Sequence, residues 1–437
     1  VDITEALAWL DGHLDHESST VGVAAGKVDG LSLEPMAELM ALLGDPQRDL
    51  PVIHVTGTNG KGSTVAMVSA LLQASGLVVG EYTSPHLERL NERISRDGEP
   101  IADEDLAEVL GGIAAVEDLL AVRPSWFEIL TAAAFRWFAE APVDVAVVEV
   151  GLLGRFDATN VATADVAVVT SVGADHTDFA PGWALAVAEE KAGIITPGRP
   201  VVLGRVAPEL VAVFVAEGAE PVLRLGAELG VARRRPGVGA QVLDLYGARG
   251  AHEEVVLALH GAHQGDNAAV AVAAVEELFD RRLDDEVVRE ALARVRVPAR
   301  LEVLGHQPLV VLDGAHNPDA LTAMAETLAE DFAAAGSRIV VVGMLAGRDA
   351  DAAMAAIEPL GADLVICATV GGSRGLPASR LAQAAQRRGL PAEVVEDPAG
   401  AVIAALRTAA EEDLVVVCGS FRLLSVARAV HAAAADW

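Results

Sequence analysis

The run His54-Val55-Thr56-Gly57-Thr58-Asn59-Gly60-Lys61-Gly62-Ser63-Thr64 gathers three glycines, a lysine and two adjacent hydroxyls. Glycines let backbone N–H groups wrap an anion, and a helix starting here adds the positive end of its dipole. Lys61 would reach the outer phosphates of a nucleotide. Ser63 or Thr64 could touch Mg²⁺ or a phosphate oxygen. Two residues separate Gly57 from Gly60, where the general phosphate loop has four. Glu149 lies near the end of the apolar run Val143–Val150. A carboxylate at the carboxyl end of a buried strand, opposite a phosphate loop, is what a metal site needs. The basic residues are strongly biased. Of 32 lysines and arginines only Lys27, Lys61 and Lys191 are lysine. Arginine serves wherever a surface charge suffices, so a surviving lysine points to a need for a primary amine, as a compact phosphate-binding charge or a nucleophile.

Elements that could hold these residues alternate between strand-like and helix-like runs, the pattern of an α/β protein with a mostly parallel sheet. Strands are expected at Val52–Val55, Val78–Tyr82, Val143–Val150 and Asp165–Thr170. Helices are expected over about Gly62–Ser75, Asp103–Val122, Trp126–Glu140 and Gly182–Ile195. Pro200–Leu259 reads as small strands decorating the first domain. A boundary near Val297–Pro298 divides a first domain, 1–297, from a second, 298–437. The second domain is a doubly wound series with strands at Leu309–Leu312, Arg338–Val342, Leu364–Ala368, Glu393–Val395 and Leu414–Cys418.

Further motifs follow in order. They are Tyr82-Thr83-Ser84-Pro85-His86-Leu87, Glu149-Val150-Gly151-Leu152-Leu153-Gly154-Arg155-Phe156-Asp157, Asp175-His176-Thr177-Asp178 and Glu190-Lys191-Ala192-Gly193-Ile194. Beyond them come His263-Gln264-Gly265-Asp266-Asn267-Ala268, Pro298-Ala299-Arg300, Asp313-Gly314-Ala315-His316-Asn317-Pro318 and Cys418-Gly419-Ser420-Phe421. Together with the glycine-rich loop, this ordered set resembles the dihydrofolate/folylpolyglutamate synthase family of the Mur-ligase superfamily over about residues 30–430. The resemblance implies a P-loop-containing Mur-ligase-like ATPase domain followed by a Rossmann-like domain. It implies that ATP is bound by Thr58, Asn59, Gly60, Lys61, Gly62, Ser63, Thr64, Asn267, Arg300 and Asp313. Two Mg²⁺ ions would be held by Ser63, Ser84, Glu149 and His176. Lys191 is carbamylated in relatives to N6-carboxylysine, a change the arginine guanidinium cannot undergo. Lys61, Lys191, Arg300 and His316 become the catalytic candidates. Gly30, Leu31, Leu33, Ser125, Trp126, Phe127, Phe156, Asp157 and Ala158 are expected to line the acceptor pocket, and Ser420 to help seat glutamate. Trp126 or Phe127 could stack on a flat ring, or both could be core aromatics at a helix start. Lys27 sits just upstream of this pocket. Two family glycines are replaced, by Leu153 and by Ala299.

The implied activity is ATP-dependent joining of L-glutamate to dihydropteroate, to the γ-carboxylate of a folate, or to both, through an acyl phosphate. The rival readings are a Mur-type ligase on another carboxylate acceptor and a non-catalytic nucleotide-binding relative. The former predicts a further N-terminal domain, and the latter predicts decay at Glu149, His176, Lys191 or Arg300. Composition narrows the partners to small molecules. With 63 acidic residues and a net charge of −31, the surface repels nucleic acid and anionic lipid. No uncharged apolar run has the length of a membrane span. Two lone cysteines, Cys367 and Cys418, suit a reducing compartment. A cytoplasmic monomer is expected.

Overall fold

The computed structural model describes residues 2–15, 23–24, 27–28, 32–174, 181–237, 239–332 and 336–434. The chain forms two compact units. The first comprises Val1–Arg235, Val242–Leu257 and Gln264–Val295; the second comprises Pro236–Gln241, Ala258–His263 and Arg296–Trp437. Two short segments thus group with the second unit ahead of the boundary read near residue 297.

In the first unit a short antiparallel pair, β1 (Val23–Ala24) and β2 (Lys27–Val28), precedes the main sheet. That sheet contains β3 (Val52–Thr56), β4 (Val79–Tyr82), β5 (Ile94–Arg96), β6 (Glu99–Pro100), β7 (Val145–Glu149), β8 (Val166–Ser171), β9 (Val201–Arg205) and β10 (Val222–Arg224). The order is β10-β9-β8-β3-β7-β4-β5-β6, parallel from β10 to β4 and antiparallel thereafter. Strands β3 and β7 are buried along their whole length, which is why β7 reads as a near-continuous apolar run, whereas in β3 the run is interrupted by His54. β11 (Gly230–Gly237), β12 (Ala240–Gly247) and β13 (Gly250–Leu257) make a separate three-stranded sheet.

The helix Trp126–Glu140 spans the residues expected of it, because it is apolar on most sides and packs into the core with Leu106, Val109 and Leu110. The helix expected over 103–122 ends at Ala114 and is followed by a 3₁₀ turn, Glu117–Leu119. Gly111-Gly112 weakens its last turn, and Leu119 and Val122 are exposed, so the extension would bury little.

In the second unit the sheet consists of β14 (Glu302–His306), β15 (Leu309–Leu312), β16 (Arg338–Val342), β17 (Leu364–Cys367), β18 (Ala392–Val394) and β19 (Leu414–Cys418), in the order β14-β15-β19-β16-β17-β18. Only β14 runs antiparallel. It was not expected from sequence, because its residues are half-buried and polar at both ends. Among the described residues no helix is long and apolar enough to cross a membrane.

Candidate active site

The glycine-rich loop leaves the carboxyl end of β3 and enters the helix Lys61–Ala74 through Gly60, whose φ of 90° is left-handed. A side chain at Gly60 would be strained there and would also meet Asn267 Oδ1 at 2.8 Å. The helix begins with Lys61, Gly62 and Ser63, whose first-turn amides have no intrahelical acceptor, so they can face an anion. Lys61 Nζ donates to the carbonyl of Gly57 at 3.0 Å, which folds the ammonium back over the loop.

Hydroxyls at the end of β8 fasten this loop. Thr170 Oγ1 donates to the carbonyl of Asn59 at 2.7 Å, and Ser171 Oγ accepts the Asn59 N–H at 2.9 Å. The Thr58 N–H donates to Ser171 O at 3.0 Å, and the Thr58 hydroxyl accepts the Gly173 N–H at 2.9 Å. Sequence reasoning missed Thr170 and Ser171. Their only signal was a pair of hydroxyls where an apolar strand ends. The site also depends on Gly204 in β9, because a Cβ there would overlap the carbonyl oxygen of Thr170. Gly204→Ala should therefore cost about 3 kcal/mol by forcing two backbones apart, read as a lower urea midpoint at unchanged m-value, with weakened nucleotide binding.

Glu149 ends β7 beside the loop and is buried. Its Oε2 accepts the Ser84 N–H at 3.2 Å and lies 3.7 Å from where a Cβ on Gly62 would be. Ser63, also buried, accepts from Gln264 Nε2 at 3.2 Å, and Asn267 Nδ2 donates to Gln264 Oε1 at 3.0 Å. Thr64 Oγ1 is buried without a hydrogen-bond partner. The loop is thus flanked by oxygen donors, the donor type that Mg²⁺ prefers. Among the described residues no group of three or more His, Cys, Asp or Glu side chains could hold a metal ion. One carboxylate with hydroxyls suits Mg²⁺ bound through nucleotide phosphates and water. His176, the remaining expected ligand, lies outside the described residues, as do Gly30 and Leu31 of the expected acceptor pocket.

Lys191 is 3% exposed, in the last turn of the helix Trp183–Ala192. The loop after Glu149 packs on this turn. The Arg155 N–H donates to Glu190 O at 2.8 Å, and a Cβ on Gly154 would meet that oxygen at 2.8 Å and Lys191 Cα at 3.2 Å.

The residues expected to form the acceptor wall have these places in the structure. Ser125 is the N-cap of the helix Trp126–Glu140, in a reciprocal capping box with Glu128. Trp126 lies under the Arg93 guanidinium, 4.8 Å from ring centroid to Cζ, and Phe127 is tilted against Tyr82. Both are buried and belong to the core cluster. A Cβ on Gly151 would overlap the Phe127 ring, which places that ring directly behind the Glu149 loop. Asp157 and Ala158 are buried as well. Asp157 caps a 3₁₀ turn and accepts the Leu152 N–H at 2.8 Å, and burial raises its pKa. Phe156 is 44% exposed, and Leu33 is half-buried at the start of the helix Glu34–Leu42.

In the second unit Arg300 lies on a loop clasped by Asp313. The buried Asp313 carboxylate accepts the N–H groups of Leu301 at 2.9 Å and Ala315 at 2.8 Å. Burial raises its pKa, against the opposing pull of the Arg300 charge. The Arg300 guanidinium stacks on Phe421 at 5.2 Å and donates to Ala299 O at 3.0 Å. His316 Nδ1 is held at 2.8 Å from Gly314 O, which orients the ring. Asn317 caps the helix Pro318–Asp331, and the buried Ser420 accepts the Arg422 N–H at 3.3 Å. Arg300, Asp313, His316 and Ser420 thus sit on neighbouring loops at the carboxyl ends of β15 and β19.

Residues 299–421 match the family model "Mur ligase, glutamate ligase domain". The dihydrofolate synthase/folylpolyglutamate synthase of Mycobacterium tuberculosis is 42% identical over 386 residues, covering 82% of this chain and 78% of that protein. The chain belongs to the dihydrofolate synthase/folylpolyglutamate synthase family. The Escherichia coli member is 33% identical over 91% of both chains. The solved M. tuberculosis folylpolyglutamate synthase, complexed with ADP, superposes with a TM-score of 0.89 at 38% identity over 98% of each chain. A solved bifunctional synthase with Mn, AMPPNP and L-glutamate bound superposes at 0.85 with 30% identity, covering 99% of this chain and 98% of that one.

Leu153 and Ala299, the residues expected from the sequence to stand in place of glycines, both have a left-handed backbone, with φ of 60° and 59°. A side chain there costs about 1–2 kcal/mol. At Leu153 the side chain also packs on Val187, Leu152, Val172 and Trp183. Removing a buried leucine costs about 2–5 kcal/mol, so packing outweighs strain. Leu153→Gly should therefore destabilise the synthase by about 2 kcal/mol despite relieving the backbone, as measured by urea unfolding.

Proposed function

We propose that the protein is an ATP-dependent ligase that joins L-glutamate to dihydropteroate, to the γ-carboxylate of a folate, or to both. The observation that carries this reading is the fastened phosphate loop with Lys61 turned over it and Glu149 beside it, in a chain of this family. A carboxylate oxygen is a poor leaving group. ATP would phosphorylate the acceptor carboxylate, releasing ADP. The glutamate amine would attack the acyl carbon and lose a proton as phosphate departs. Amides at the helix start and Lys61 bind the phosphates, and Arg300 is proposed to balance charge on the transferred phosphoryl group. Mg²⁺, which Glu149, Ser63 and Ser84 would hold together with His176, neutralises phosphate oxygens when bound. His316 is proposed to serve the reacting ends of the substrates, Asn267 and Asp313 the nucleotide, and Ser420 the incoming glutamate.

Lys191 is proposed to carry a carbamate. A buried ammonium is costly, and CO₂ addition turns it into an anion that can face a metal or a cationic group. Lys191→Arg should lower kcat by about 10²- to 10³-fold, and ¹³CO₂ should give a carbamate carbon resonance in the wild type that this variant lacks. Cytoplasmic residence and a monomeric state are part of the same proposal. The thiols are free and buried, and burial pushes the pKa of Cys367 up to about 12, which suits a reducing compartment.

The deciding experiment incubates the protein with ATP, Mg²⁺ and L-glutamate, with dihydropteroate or tetrahydrofolate, and weighs the products. One added glutamate on both acceptors identifies a bifunctional synthase; on one alone, a dedicated enzyme. No product from protein that binds ATP would overturn the folate assignment and favour another carboxylate acceptor.

A further inference from the structure

Asn91-Glu92-Arg93 ends the loop that joins β4 to its antiparallel neighbour β5, and the proposed reaction uses none of its side chains. Ser84 stands near the other end of the same loop. Tyr82 pairs with Ile94, so the connection runs from Thr83 to Arg93. A connection of that length has many conformations open to it, and local contacts must select one.

The Glu92 carboxylate makes three such contacts. Its Oε2 accepts the Leu87 N–H at 2.7 Å, and its Oε1 accepts the N–H groups of Glu88 at 2.9 Å and Arg89 at 2.7 Å. Residues 87–89 lie outside any strand or helix, so the carboxylate takes the place of a secondary-structure acceptor. The other two side chains close the loop around it. Arg93 O accepts the Thr83 N–H at 2.9 Å, and Arg93 Nε donates to His86 Nδ1 at 2.9 Å. Asn91 Nδ2 donates to Ile101 O at 2.7 Å and to Asp103 Oδ1 at 3.0 Å, which ties the loop to the start of the helix Asp103–Ala114.

Ser84 lies between these restraints. Thr83 is fixed on one side of it, and His86 and Leu87 on the other. Pro85 has no N–H to add. The Ser84 N–H donates to Glu149 Oε2 at 3.2 Å, so a loop that shifted would also release that carboxylate. We infer that Glu92 is a positioning residue: by gathering the 87–89 amides it sets Ser84, and through the Ser84 N–H the Glu149 carboxylate, for a divalent cation on the nucleotide. This rests on the reading of Ser84 and Glu149 as residues that would hold Mg²⁺. Both oxygens of Glu92 are engaged by backbone N–H groups, so it acts through the loop. The fold should change little, because two of the three bonds are at the surface and the β4–β5 pairing and the buried Leu87 remain.

Glu92→Gln tests the role. The amide has the shape of the carboxylate but turns an NH₂ group toward amides that are themselves donors. Mn²⁺ is titrated into protein held in excess over AMPPNP, with free Mn²⁺ read by electron paramagnetic resonance. The temperature is kept below the unfolding midpoint of every variant, so that a change in stability does not enter. Glu149→Gln is the reference and should weaken Mn²⁺ binding. Glu92→Gln should raise the Mn²⁺ dissociation constant about tenfold, the lower end of what removing a group that orients metal ligands costs. In turnover, the Mg²⁺ concentration giving half the maximal rate should rise by a similar factor, while kcat at saturating Mg²⁺ stays near that of the wild type. Should the wild type make no product, Mn²⁺ binding decides by itself. Wild-type Mn²⁺ affinity in Glu92→Gln, where Glu149→Gln has lost it, would overturn the positioning role and leave the metal reading intact. Wild-type affinity in Glu149→Gln would overturn the metal reading and the inference with it.

Discussion

Lys61→Ala should lower kcat about 10²- to 10³-fold while leaving the fold intact. The amine donates a hydrogen bond to Gly57 O at 3.0 Å, and it can trade that bond for phosphate oxygens. Removing one preorganised donor from a developing charge typically costs that factor in rate. Stability should shift by less than about 1 kcal/mol, since a half-buried neutral-acceptor bond contributes little net. Lys61→Arg should recover little, because the planar guanidinium is larger and cannot follow the path of the lysine stem between loop and helix. Single-turnover phosphoryl transfer measures the loss, and urea unfolding measures the stability. A variant with wild-type rate would remove Lys61 from the chemistry.

A second large effect is expected in acid. His54 on β3 is fully buried; its Nε2 lies 2.9 Å from Thr159 Oγ1, which in turn donates to Asp157. Burial lowers the His54 pKa from 6.5 to about 3. Between these values the unfolded chain carries a proton that the folded chain refuses. Stability from this residue is complete above pH 6.5 and is lost as pH falls toward 3. The loss reaches on the order of 5 kcal/mol, at about 1.4 kcal/mol per unit. His54→Gln keeps an N–H donor for Thr159 and cannot titrate. Its free energy of unfolding should lack one proton's worth of slope over that window. Parallel pH curves for variant and wild type would show that His54 is protonated in the folded state.

The phosphate loop, Glu149 and the alternation of strands and helices were legible because each leaves a local mark. β15, β16 and β19 were read at their observed residues, since strands covered on both faces must be apolar throughout. The edge strand β18, half-exposed, was read one residue late. Trp126 and Phe127 could not be assigned from sequence, because a helix start with two aromatics carries no mark of the Arg93 and Tyr82 side chains that meet them from distant segments. Nor could Thr170 and Ser171 be connected to Asn59, because the link spans more than a hundred residues and depends on β8 pairing beside β3 in one register.

That link has a kinetic consequence. A glycine-rich segment free in solution samples many shapes, and a nucleotide binding to it would lose affinity to ordering. Here the ordering is completed when the sheet forms, through the Thr170 and Ser171 hydroxyls that bond the loop backbone at Asn59. The nucleotide meets a finished cradle, so its capture should be limited by diffusion and charge and not by loop rearrangement. Thr170→Val, which keeps the shape of the strand but lets go of the loop, should slow association more than it speeds release.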